Sequence, residues 1–93
     1  MLYLLHHSPA SLVSLQDLLK SKDVLVLLQE GVYEGILQSP LPFLEKGVLC
    51  YALEVDVHAR GLREQIHPQV LLISYEELVD LTLQHHPILS WFS

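Results

Sequence analysis

The run Val24-Leu25-Val26-Leu27-Leu28 constrains this chain more than any other segment. All five residues are apolar, with no polar residue between them. A strand with one face in water alternates polar and apolar residues, so this strand must be covered on both faces. Such cover is the normal condition of a parallel sheet held between helical layers. Leu2 to Leu5, Val48 to Leu53 and Val70 to Ile73 repeat the pattern as three further short apolar runs.

The segments between these runs carry helix signals. Ser8-Pro9 places a capping serine before a proline suited to the first helical turn. Leu12, Leu15, Leu18 and Leu19 follow at helical spacing, predicting a helix over Pro9 to Lys20, with Lys20 and Lys22 near its C-terminal dipole. Gln29-Glu30-Gly31 ends the second strand, and Val32 to Leu37 fits a short helix. Ser39-Pro40-Leu41-Pro42 breaks the chain, and Phe43 to Lys46 fits a single turn. Glu54 and Asp56 favour a helix start after the third strand. Val55, Ala59 and Leu62 fall on one face of that helix, and Gly61 is placed to end it. Ser74-Tyr75-Glu76-Glu77 is a capping box. Leu78, Leu81 and Thr82 then share a face, and His85-His86-Pro87 stops the helix. The β-α-β-α-β-α-β-α order predicts one small domain over residues 1–93. Its class is α/β, a three-layer α/β/α sandwich with a mainly parallel sheet.

Composition narrows the function classes. Of 93 residues, 51% are apolar and 17% charged, against a usual charged share of about 25%. Disordered chains show the opposite balance. The apolar content exceeds what one small core hides, and such a surplus marks an interface. Five Lys and Arg against eleven Asp and Glu give a net charge of −6. A chain this acidic is a poor nucleic-acid binder by itself, since phosphate neutralisation needs cations, and no direct nucleic-acid contact is expected. No window approaches the roughly 20 apolar residues of a membrane span. The run Met1 to Leu5 is shorter than a signal-peptide core and lacks a preceding positive charge. The single cysteine, Cys50, allows no internal disulfide, which fits a reducing cytoplasmic setting.

In a parallel sheet, ligands bind beyond the carboxyl ends of the strands. His6-His7-Ser8, Gln29-Glu30-Gly31, Leu53-Glu54 and Ser74-Tyr75 are predicted there. They are either a binding edge, with His6, Glu30 and Tyr75 as its polar groups, or ordinary caps and loops. The six histidines include two adjacent pairs, and adjacent side chains do not share a helix face. With no His-x-x-x-His and no Cys-x-x-Cys, the spacing supports no metal. Nor do the glycines form a nucleotide fingerprint, so no cofactor is predicted. Cys50 is the only thiol available for catalysis. A reactive cysteine sits at a helix start or beside a cation, whereas Cys50 lies inside an apolar strand and reads as an inert core thiol. Trp91 and Phe92 either pack back on the domain or anchor an interface.

Four stretches in order carry a resemblance over nearly the whole chain. They are Leu5-His6-His7-Ser8-Pro9, Asp23 to Val32, Tyr51 to Leu62, and Ile73-Ser74-Tyr75 through Leu81-Thr82 to Trp91. In these the chain resembles the TusB (DsrH) family, small subunits of the bacterial sulfur relay. The resemblance implies a compact α/β fold and assembly with TusC-like and TusD-like subunits into a heterohexamer. That complex takes up persulfide sulfur and passes it to a TusE-like protein, toward 2-thiouridine at the wobble position of tRNA. Related Dsr complexes serve sulfur oxidation.

The resemblance also locates the relay's thiol. In TusD-like subunits the sulfur-carrying cysteine opens the helix after the third strand, ahead of a pair similar to Arg60-Gly61. The matching position here is Leu53, give or take one residue, and Cys50 lies three residues earlier. Some DsrH members carry another cysteine near the end of the first helix, where this chain has Lys20, Ser21 and Lys22. The expectation is therefore a non-catalytic structural subunit. His6, Ser8, Arg60, Trp91 and Phe92 are its candidate partner contacts, and the chain purified alone is prone to homo-oligomerise. The alternatives are a self-contained sulfur carrier using Cys50, or a DsrH-type subunit in sulfur oxidation.

Overall fold

The computed structural model describes residues 2–6, 23–36, 47–85 and 88–91. Among these residues five parallel strands form one sheet: β1 (Leu2–Leu5), β2 (Val24–Leu27), β3 (Leu49–Leu53), β4 (Val70–Ile73) and β5 (Ile88–Trp91), in the order β4-β3-β2-β1-β5. A 3-10 helix, Gln29–Gly35, follows β2. Helix α1 (Glu54–Ala59) follows β3, and helix α2 (Tyr75–Gln84) follows β4. The predicted helix over Pro9 to Lys20 and the turn at Phe43 to Lys46 lie outside the described residues.

Alternation of side chains across the sheet divides the core in two. On one face Leu5, Leu25, Leu27, Cys50, Ala52 and Val70 pack under Val32 of the 3-10 helix and Val57 of α1. On the other, Leu2, Val24, Val26, Leu53 and Ile73 pack under Leu78, with Leu81 beside it. All four residues of β2 are buried, as its unbroken apolar run requires. The layers are therefore α/β/α. Among the described residues, no helix is long and apolar enough to cross a membrane.

Two readings of the sequence change. The buried residue of α1 is Val57; Val55 and Ala59 face solvent, so the inward stripe of this short helix is rotated from the one its spacing indicated. The tail is also a strand. β5 pairs with β1 in parallel, with Leu2 opposite Ile88 and Leu5 opposite Trp91. Four residues after a helix stop are too few for periodicity to identify a strand, and this one forms because β1 offers an open edge.

Capping fixes where α2 begins. The Glu77 amide donates to Ser74 Oγ (3.2 Å), and the Ser74 amide donates to Glu77 Oε1 (3.0 Å). After β2 the constraint is steric. The Leu28 amide donates to the Leu5 carbonyl (2.9 Å), and the Gly31 amide lies 3.2 Å from the His6 carbonyl and 2.8 Å from that of Leu28. A Cβ on Gly31 would overlap the Leu5 carbonyl oxygen, which is backbone and cannot step aside. Gly31→Ala should therefore lower stability by about 1–3 kcal/mol, the usual cost of overpacking. A urea midpoint unchanged from wild type would contradict this close approach.

Candidate functional site

The carboxyl ends of β1 to β4 bring together His6, Gln29-Glu30-Gly31, Leu53-Glu54 and Ser74-Tyr75, as the sequence predicts; His7 lies outside the described residues. The order of the strands reverses between β1 and β5, and His6 follows β1 at this switch point, where parallel sheets bind ligands. Both ring nitrogens of His6 are shielded from solvent. Ser8 and Phe92 lie outside the described residues, and of Trp91 the structure describes the backbone, in β5.

The next loop is held by an acid. Gln29 adopts a left-handed backbone with φ 51, a conformation that costs a non-glycine residue about 1–2 kcal/mol. Its amide donates to Asp56 Oδ2 at 2.8 Å, tying the end of β2 to α1. Arg60 Nη1 lies 3.7 Å from Asp56 Oδ1 and donates to the Asp56 carbonyl at 3.3 Å. Arg60 is thus engaged with its own helix, with about a quarter of its side chain exposed. The sequence marks Asp56 only as a favourable charge at a helix start. Only the fold brings Gln29 within its reach.

Cys50 is the second residue of β3, on the face covered by the 3-10 helix and α1, and is 3% exposed. Burial pushes its thiol from the ordinary 9.0 up to about 12, because the apolar core disfavours the thiolate. The helix start three residues later is occupied by Leu53, the N-cap of α1, itself buried and with no capping side chain. No group of His, Cys, Asp and Glu among the described residues is arranged to hold a metal ion.

The two described cavities lie on the sheet face that carries α2. One, of about 310 Å³, opens at the amino-terminal half of β3 and β4 beside Leu49, Tyr51, Pro68 and Leu71. The other, of about 200 Å³, runs between the sheet and α2, from Tyr51 and Ile73 to Glu77, Asp80, Leu81 and Gln84. Tyr51 lines both. Large apolar side chains are exposed on this side of the molecule: Leu49 (53%) and Leu71 (55%) on the strands, and Tyr75, Val79 and Leu83 along α2. The last three recur every fourth residue and form one stripe.

A family model described as DsrH like protein matches residues 7–88. The chain belongs to the DsrH/TusB family. It is 43% identical to protein TusB of Pectobacterium atrosepticum, over 98% of this chain and all of that protein. Protein TusB of Yersinia pestis (strain Pestoides F) is 42% identical over the same shares. Among solved structures, protein Tm0979 from Thermotoga maritima superposes with TM-score 0.67 at 29% identity, covering 91% of this chain and 94% of that one. The ychN protein from E. coli superposes with TM-score 0.71, covering 97% of each chain, and at 17% identity it speaks for the fold alone. Membership makes this chain part of a sulfur-relay family.

The buried thiol generates a direct expectation. Iodoacetamide at neutral pH should leave Cys50 unmodified in the folded protein and modify it promptly after unfolding in urea. Because the folded pKa is raised, the stability linked to this thiol is complete below pH 9.0. It is lost as pH climbs toward about 12. The fall in urea stability between neutral pH and about pH 10 should accordingly be smaller in Cys50→Ala. Rapid alkylation of the folded chain would contradict the buried assignment.

Proposed function

We propose that this chain is a non-catalytic structural subunit of a heteromeric sulfurtransferase complex. The complex would relay persulfide sulfur toward 2-thiouridine at the tRNA wobble position. The position of the thiol carries this reading. Cys50 is buried in β3 with its ionisation suppressed, while the helix start that would activate a thiol holds Leu53. A helix N-terminus and exposure favour a thiolate; an apolar core disfavours it.

The chain's work would then be packing. TusC-like and TusD-like subunits are its proposed partners in a heterohexamer, and a TusE-like protein receives the sulfur. The exposed Leu49, Leu71, Val79 and Leu83 support this, since monomeric proteins seldom leave so much apolar surface in water. His6, Ser8, Arg60, Trp91 and Phe92 remain proposed partner contacts. The acidic charge fits a subunit that touches no RNA itself. Residues 1–93 would act as one domain, in the cytoplasm. The TusB relatives, and the absence of a cysteine at Lys20 to Lys22, support the tRNA branch over sulfur oxidation.

Co-expression with neighbouring genes and purification through a tag on this chain should recover two related α/β subunits in equal amounts. A Cys50→Ser complex should assemble and transfer sulfur at close to the wild-type rate. Recovery of this chain alone would overturn the reading. So would an assembled Cys50→Ser complex that no longer turns over, which would make Cys50 a sulfur carrier.

A further inference from the structure

We propose that the two cavities beside α2 form one groove that receives a basic amphipathic helix from a partner subunit; the inference rests on the subunit reading above. The groove's floor is the sheet face of β3 and β4, with Leu49, Tyr51, Leu71 and Ile73 along it. Leu49 and Leu71 are more than half exposed there. Parallel sheets ordinarily have both faces covered, and among the described residues no helix caps Leu49 and Leu71 on this half of the face.

The dimensions favour a helix. Five strands spaced about 4.8 Å apart span roughly 19 Å, and one helix is about 10 Å across. Among the described residues, α2 is the only helix whose side chains join the core on this face. It leaves the width of one more helix over β3 and β4. At about 15 Å long, α2 offers such a neighbour roughly three turns of wall.

Charge selects the partner's side chains. The wall contributed by α2 presents Glu77, Asp80 and Gln84, and among the described residues no Lys or Arg lines either cavity. Glu77 and Asp80 are three residues apart and so lie on one side of α2. A helix alongside would meet them with Lys or Arg at matching spacing and set its apolar side on Leu49, Tyr51 and Leu71. Complementary charge at the edge of an apolar contact fixes partner choice and register.

The test uses the full chain with the partner subunits it co-purifies with. Leu71 and Asp80 are exposed, so Leu71→Asp and Asp80→Lys should keep the wild-type melting curve. Leu71→Ala replaces Leu71→Asp if that variant unfolds. Leu71→Asp should weaken binding by about ten-fold or more. Asp80→Lys should weaken it at low salt and flatten its salt dependence. A photo-crosslinker in place of Leu71 should capture a Lys- or Arg-bearing helix of a partner subunit. Wild-type affinity in both variants, while the wild-type chain binds, overturns the groove alone. A crosslink to a second copy of this chain, or to a segment without basic residues, overturns the assigned occupant. A wild-type chain that binds no partner overturns the subunit reading and this inference with it.

Discussion

β2 lies at the centre of the sheet, and its backbone pairing persists only if both of its faces are shielded from water. The layers follow from that requirement. Val24 and Val26 need the cover that α2 supplies through Leu78; Leu25 and Leu27 need the cover of the 3-10 helix and α1. The loop leaving β2 must turn sharply to deliver the 3-10 helix onto the sheet. Gly31 allows the turn by lacking a Cβ against Leu5, and Asp56 holds its first residue. Placement of α1 and of the thiol in β3 descends from the same constraint.

Much of this architecture is legible in the sequence because its signals are local. Unbroken apolar runs mark β1 to β4, and the Ser74–Glu77 capping box marks the start of α2 within a residue. Gly61, with φ 63, ends α1 where a left-handed residue is needed. What escapes the sequence depends on distant parts meeting. β5 is a strand because β1 has a free edge. Val57 rather than Val55 faces inward because the sheet sets the rotation of α1. Asp56 becomes a loop anchor because Gln29, 27 residues earlier, arrives beside it. The groove along α2 is hidden for the same reason: Leu49, Leu71 and Asp80 share no segment, and their surface exists only after β3, β4 and α2 assemble.

The functional reading turns on a displacement of three residues. A cysteine at position 53 would sit at a helix start, near the backbone amides and the positive end of the dipole. At position 50 it sits under the 3-10 helix and α1, where burial lifts its pKa to about 12. The same fold can thus host a sulfur carrier or a packing subunit, depending on which position holds sulfur. Here position 53 holds leucine, while among the described residues apolar side chains on the β3–β4 face and along α2 are exposed. Surface of that kind fits the proposed packing role better than a reaction of this chain's own.

Sulfur labelling of the assembled complex tests this division of labour most directly. The complex would be charged with radiolabelled cysteine and a cysteine desulfurase, then separated under denaturing, non-reducing conditions. Label is expected on the partner whose cysteine opens the corresponding helix, and none on this chain. Reductant-sensitive label on Cys50 would contradict it and make this chain a carrier in the relay.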